Sequence, residues 1–353
     1  MVGPYVHRID PVLLDVAGVH LWWYGLSYAL GFLQMFWFLR TRRARLGLTL
    51  REAHAVSLLV AVGVLAGGRA VEVAFDEWPF YREHPSLIPA LWLGGMATHG
   101  LLLGAAAATW LFARIARKPF LEIADAIVIP GACVMGLGRI GNFIDGQIVG
   151  HVTGAPWGVL FPDAAGFRHP VVLYDALKNL LLVPALLRVR RGEPPPGRVA
   201  AHFVFWYAFL RMFVDLFREY PTHRLPWGTG QTLNAIMAAA GCVLLICSYL
   251  NRRRSPPIGL PSVRERQPGT AQRLALAGVI VFSLMIPSNW TQDVPARYGH
   301  RHPGLRHSIM YPPIDTRPRA RRCGRPEGLR YARHRSSSPT PARRHARCRR
   351  GRT

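Results

Sequence analysis

Apolar runs long enough to cross a bilayer recur along the first 250 residues, and charged residues sit in short clusters between them. Seven runs stand out, at roughly 20–39, 55–75, 96–114, 121–138, 171–188, 199–217 and 231–250. A helix needs about 20 residues to cross the hydrocarbon core, and most of the runs have that length. The pattern predicts an all-α fold, a polytopic membrane bundle of about seven transmembrane helices. A shorter run at 274–287 is either an eighth span or an interfacial segment.

The polar connections alternate in charge. Arg40 to Arg45 follow the first run, Arg114, Arg117 and Lys118 separate the third and fourth, Arg188, Arg190 and Arg191 separate the fifth and sixth, and Arg252 to Arg254 follow the seventh. The positive-inside rule places these loops in the cytoplasm and the N-terminus outside. The opposite connections, 76–95, 139–170 and 218–230, hold Trp78, Trp92, Trp157 and Trp227, which suit an interfacial aromatic belt. The basic cluster after the first run is on the wrong side for a cleavable signal peptide. Beyond the transmembrane core at 1–254, residues 255–316 comprise a linker and the short apolar segment. Residues 317–353 form an Arg-rich low-complexity tail expected to be disordered.

Charge changes this picture little. The net charge is +25, but 317–353 contains fourteen arginines and one acid, Glu327, so it accounts for +13. The remaining charge flanks apolar runs, and no nucleic-acid motif accompanies it, so no nucleic-acid partner is expected. The five cysteines, Cys133, Cys242, Cys247, Cys323 and Cys348, form no CxxC pair and have no metal-ligand spacing. Neither a metal nor a cofactor is expected.

Ionisable residues inside spans are costly, so each calls for a reason. Tyr207, Arg211 and Asp215 lie at i, i+4 and i+8 and share one helix face. Arg211 falls about 10 Å below a helix end near Arg218, a depth that calls for an anionic partner. The plainer alternative is an internal Arg211–Asp215 pair with a snorkelling Arg218. The fourth run ends in Gly136-Leu-Gly138-Arg139-Ile-Gly141-Asn142-Phe-Ile-Asp145-Gly146-Gln147. Arg139 and Asn142, three apart, can face one site, and an arginine fork beside glycine-exposed amides suits a phosphate. An arginine anchoring a helix end to headgroups fits equally well. His99 opens the third run, Tyr24 the first, and Asp175 follows His169-Pro170 at the start of the fifth. All of these groups map to the outer half of the bilayer. Arg69 and Glu72, at i and i+3, are expected to pair with one another and stand outside the site.

These segments, in order, resemble the prolipoprotein diacylglyceryl transferase family. Gly138-Arg139-Ile-Gly141-Asn142-Phe-Ile-Asp145-Gly146 is similar to that family's signature. Trp23-Tyr24-Gly25, His99-Gly100, Pro156-Trp157 with Phe161-Pro162, His169-Pro170 with Leu173-Tyr174, and the Tyr207–Arg211–Asp215 stripe support it, covering about 20 to 250. The departures are Leu101 where the family has a second glycine, Gln147 where it has glutamate, and aspartate for glutamate at Asp175 and Asp215.

The resemblance implies transfer of a diacylglyceryl group from phosphatidylglycerol to the lipobox cysteine of a preprolipoprotein signal peptide, in the bacterial inner membrane, with the site toward the periplasm. On that basis Arg139 and Arg211 are expected to hold the phosphate and stabilise the leaving group. His99 is the candidate base or a positioner of the headgroup. Tyr24, Asn142 and Tyr207 would orient the glycerol, Asp215 would fix Arg211, and Gly141, Asp175 and Arg218 would complete the substrate site. An anion transporter would use the same arginines, but the repeats and broken helices of such folds are not visible. An inactive relative is the other alternative, kept open by Leu101 and Gln147.

Overall fold

A computed structural model describes residues 5–219, 229–250, 265–288 and 293–314. Trp227, the arginines at 252–254, most of the linker and the tail from 317 onward lie outside the described residues.

Each predicted run is a helix, with ends set by local chemistry. Helix α1 spans Trp23–Arg42 and α2 spans Leu50–Val71. The start of α2 lies five residues before the apolar run because Thr49 and Glu52 close a capping box that satisfies the first backbone N–H groups. At its far end α2 loosens into one π turn, Glu72–Asp76, followed by the short α3, Trp78–Tyr81. Helices α4 (Thr98–Ala116), α5 (Phe120–Ile144), α6 (Val171–Arg191), α7 (Arg198–Asp215) and α8 (Thr229–Leu250) complete the bundle. Among the described residues, four helical stretches are long and apolar enough to cross a membrane: Leu50–Asp76, Thr98–Ala116, Phe120–Ile144 and Gly230–Leu250. Helices α1, α6 and α7 pack with them.

Two apolar clusters form the core. Tyr28, Phe32, Val60, Leu65, Phe112 and Ile123 join α1, α2, α4 and α5, while Ile129, Leu182, Phe203 and Tyr207 join α5, α6 and α7. Outward-facing Trp37, Trp110, Leu181 and Ile246 are exposed, an apolar surface suited to lipid.

Glycine sets the closest approach. A Cβ on Gly63 of α2 would lie 2.6 Å from Cβ of Ala108, and one on Gly67 would lie 2.8 Å from Cα of Gly104. Only glycine lets α2 and α4 meet this closely, the small-residue packing familiar from membrane helices. Leu101 packs beside Gly68 and Met96 in the first cluster and does not line the cavity described below.

Two features add to the helical bundle. The first is a pair of small sheets at the end of the bundle opposite Arg40–Arg45. Strands β2 (Val12–Val16) and β3 (Val19–Trp22) form an antiparallel hairpin, so residues 20–22 belong to a strand and not to the first span. The hairpin turns at Ala17 and Gly18, both with positive φ, as a two-residue mirror-image turn requires. Strands β1 (Tyr5–Val6), β4 (Val159–Leu160) and β5 (Phe167–Arg168) form the other sheet in the order β1-β4-β5.

The second is the segment after α8. Helix α9, Thr270–Ser283, has 14 residues. At 1.5 Å per residue it is about 21 Å long, short of the roughly 30 Å hydrocarbon core. It packs on α1 and α2. Residues 284–288 then run across the bundle end, where Leu284 accepts a backbone bond from Trp22 at 2.9 Å. After α10, Val294–Tyr298, residues 299–314 pack with the hairpin and the 80–93 loop around Trp22, Tyr298 and Tyr311.

Candidate active site

The bundle end that carries the hairpin encloses a cavity of about 550 Å³. Its lining comes from the starts of α1, α4 and α8 and the ends of α2, α5 and α7, with residues 287–288 closing one side. Antiparallel neighbours make this convergence unavoidable, because the first turn of one helix lies beside the last turn of the next.

Asp175 organises one wall. It projects from the second turn of α6, is fully buried, and meets three cations. Its Oδ2 lies 2.6 Å from Nε of Arg139 and also pairs with Arg211, while its Oδ1 lies 2.8 Å from Nζ of Lys178. Arg211 extends its second Nη to Asp215 at 2.8 Å. Three cations thus share two carboxylates on this wall. Lys178 also sits 3.9 Å from the ring centroid of Tyr207.

The network continues into neutral groups. Arg139 donates to Asn142 Oδ1 at 3.1 Å and to Thr98 Oγ1 at 3.0 Å, linking α5 to the start of α4. Asn234 of α8 donates to Asp215 Oδ2 at 3.0 Å and lines the cavity together with His99. The Nε2 of His99 is buried and has no hydrogen-bond partner among the described residues. Tyr24 lines the opposite side with its hydroxyl 3.0 Å from that of Tyr28.

Eight of the ten residues expected from sequence line this cavity: Tyr24, His99, Arg139, Asn142, Tyr207, Arg211, Asp215 and Arg218. Gly141 and Asp175 stand behind them. A Cβ on Gly141 would lie 2.8 Å from Cα of Tyr24, so the glycine lets α5 press against α1 and bring Tyr24 to the site. Helix α5 runs six residues past the expected 138, which puts Arg139 and Asn142 one turn apart on its final two turns.

Arg69 and Glu72 behave differently from the expected pair. The Arg69 guanidinium is buried among backbone carbonyls of the 87–95 loop, donating to Ile88 at 2.8 Å and Leu87 at 2.9 Å, and also to Gly94. It therefore fixes that loop by donating to several of its carbonyls at once. Glu72 turns away and lines the cavity with Asp76, an acidic side that the sequence had not placed there.

Lys178, Asn234 and Ser288 were also missed. Lys178 and Asn234 had a signal, being polar residues inside apolar runs. Ser288 had none. Its Oγ accepts from Asn142, and its N–H donates to Asp145 Oδ2 at 3.0 Å. Nearby, Arg297 donates to Gln147 Oε1 at 3.1 Å and Arg301 to the Asp145 carbonyl at 2.7 Å. Gln147 thus occupies a place where it receives an arginine from the C-terminal segment.

The family model for prolipoprotein diacylglyceryl transferase matches residues 11–247. The chain belongs to this family. A Geobacter sulfurreducens protein named phosphatidylglycerol–prolipoprotein diacylglyceryl transferase is 38% identical over 260 residues, 71% of this chain and 98% of the relative. A Pseudoalteromonas atlantica protein of the same name is 35% identical over 264 residues, 72% of this chain and 94% of the relative. The family stretch contains the whole charged wall. Ser288, Arg297 and Arg301, from the segment over the cavity, lie beyond it.

Proposed function

We propose that the chain transfers a diacylglyceryl group from phosphatidylglycerol to the lipobox cysteine thiol of a preprolipoprotein. The observation that carries this is the pair of arginines, Arg139 and Arg211, joined through one buried carboxylate on the cavity wall. The forks of both arginines match phosphate oxygens, and they are held on one wall while the acidic groups Glu72 and Asp76 come from the end of α2. A cavity of about 550 Å³ has room for the headgroup. Phe75, Leu103 and Leu233 both line it and are exposed on the outer surface, so it opens sideways where acyl chains would lie.

The reaction is a displacement at the glyceryl carbon next to the phosphate. The cysteine sulfur forms the C–S bond, the C–O bond breaks, and glycerol-1-phosphate leaves with the electron pair. His99 takes the thiol proton through its buried, unpartnered Nε2, on the same cavity as Asn234 and Asp215, which bond one another. Arg139 and Arg211 stabilise the charge that develops on the leaving phosphate. Tyr24, Asn142 and Tyr207 orient the glycerol, and Arg218 completes the anionic-headgroup contacts at the rim. With the basic loops in the cytoplasm, the chain is an inner-membrane protein with its N-terminus and cavity on the periplasmic side.

Arg139→Ala and Arg211→Ala are each expected to lower transfer by at least about 10²-fold. The measurement is glycerol-1-phosphate release from phosphatidylglycerol in the presence of a lipobox peptide. Near-parental release by either variant would end the phosphate-clamp assignment.

A further inference from the structure

Away from the cavity, the hairpin and the C-terminal segment bring two histidines and two aspartates together. We propose that Asp15, His20 and His302 form a binding site for a divalent transition-metal ion, zinc by its ligand chemistry, that clips the C-terminal segment to the hairpin. One ligand atom from each of the three residues lies within 4.8 Å of the others. The site is independent of the transferase assignment.

The spacing fits metal ligation better than a hydrogen bond. His20 Nδ1 is buried, has no hydrogen-bond partner among the described residues, and stands 3.4 Å from Asp15 Oδ2. That is long for an N–H···O bond, which centres near 2.9 Å. It equals the edge of a zinc tetrahedron, because bonds of about 2.0–2.1 Å put neighbouring ligand atoms roughly 3.4 Å apart. The third ligand must close by no more than about 1.4 Å to complete that geometry, within reach of a side-chain rotation.

His302 is already oriented for the task. Its Nδ1 bonds Asp10 Oδ2 at 2.8 Å, the carboxylate–histidine arrangement that leaves Nε2 for a metal. That Nε2 and Asp15 Oδ2 face a shared space beside Gly304, where an added Cβ would be 3.3 Å from the first and 3.9 Å from the second. Two imidazoles and one carboxylate satisfy a borderline-soft ion, and water fills the fourth position. Since His302 lies outside the family stretch, the ion would secure an addition to the common core.

The test uses the full chain in detergent, purified with a histidine-free tag and stripped with a chelator. Titration with Co²⁺ should give a four-coordinate d–d absorption band that saturates at one equivalent and is displaced by Zn²⁺. Outer-partner losses cost about 10–100-fold in affinity. His20→Ala and His302→Gln should therefore weaken Zn²⁺ binding by at least about 100-fold, and Asp10→Asn by about 10-fold. Zn²⁺ should raise the melting temperature of the parent but not of His302→Gln, with equal melting in chelator showing that the variant folds. His151→Ala should bind like the parent. No band in the parent, or an equal band in both histidine variants, overturns the site and leaves one hydrogen-bonded pair, His302–Asp10, beside an unbonded His20.

Discussion

The cavity wall of α5, α6 and α7 differs in kind from the cap formed by the hairpin and residues 284–314. In the wall, five charged side chains share four ion pairs, and Asp175 takes part in three of them. The cap is joined by aromatic packing around Trp22 and Tyr311 and by single bonds such as Arg297 to Gln147. Every member of the wall depends on another, so removing one strands a buried charge. Cap contacts are nearly independent, so each loss stays local. The wall lies wholly in the stretch shared with the family, whereas half of the cap does not.

The most damaging change should be Asp175→Ala. It leaves Arg139, Arg211 and Lys178 without their common acceptor, and breaking a buried pair from one side costs about 3–5 kcal/mol. Denaturation in detergent should show that loss together with near-complete loss of transfer. A cap variant costing as much would erase the contrast between the two regions.

His99→Gln separates chemistry from architecture on the same side of the cavity. The rate should fall about 10²–10⁴-fold at neutral pH, with the melting temperature close to that of the parent. Full rate at neutral pH would remove the general base from the mechanism.

Packing beneath the site ranks next. In Gly104→Val the new side chain meets the backbone of Gly63, and overpacking of this kind costs about 1–3 kcal/mol. Thermal unfolding measures the loss. Because α4 also carries His99, transfer should fall with it.

The smallest effects belong to the cap. Ser288→Ala removes one bond to Asn142 and should cost about 1 kcal/mol with a few-fold change in transfer. Gln147 is buried, so Gln147→Glu gives Arg297 a charged partner at the cost of burying a carboxylate, and the two should roughly cancel, leaving stability nearly unchanged. If Gln147→Glu instead abolished transfer, the cap would be as integral as the wall.

Much of this arrangement was legible before any coordinates. Charges within apolar runs are costly enough to appear as anomalies, so Arg139, Arg211, Asp215 and Asp175 declared themselves. Helical periodicity assigned Tyr207, Arg211 and Asp215 to one face, and alternating basic loops assigned the groups to one end of the bundle. Periodicity defines a face but not the partner across the gap. Only tertiary packing made Asp175 the common acceptor for two arginines and a lysine, and turned Arg69 from Glu72 toward loop carbonyls. It also decided that Ser288 reaches Asn142 across 146 positions of sequence. The physical reason is the same throughout. The cost of a buried charge is local and can be read along the chain, while its compensation is supplied by whichever helix or segment the fold brings alongside.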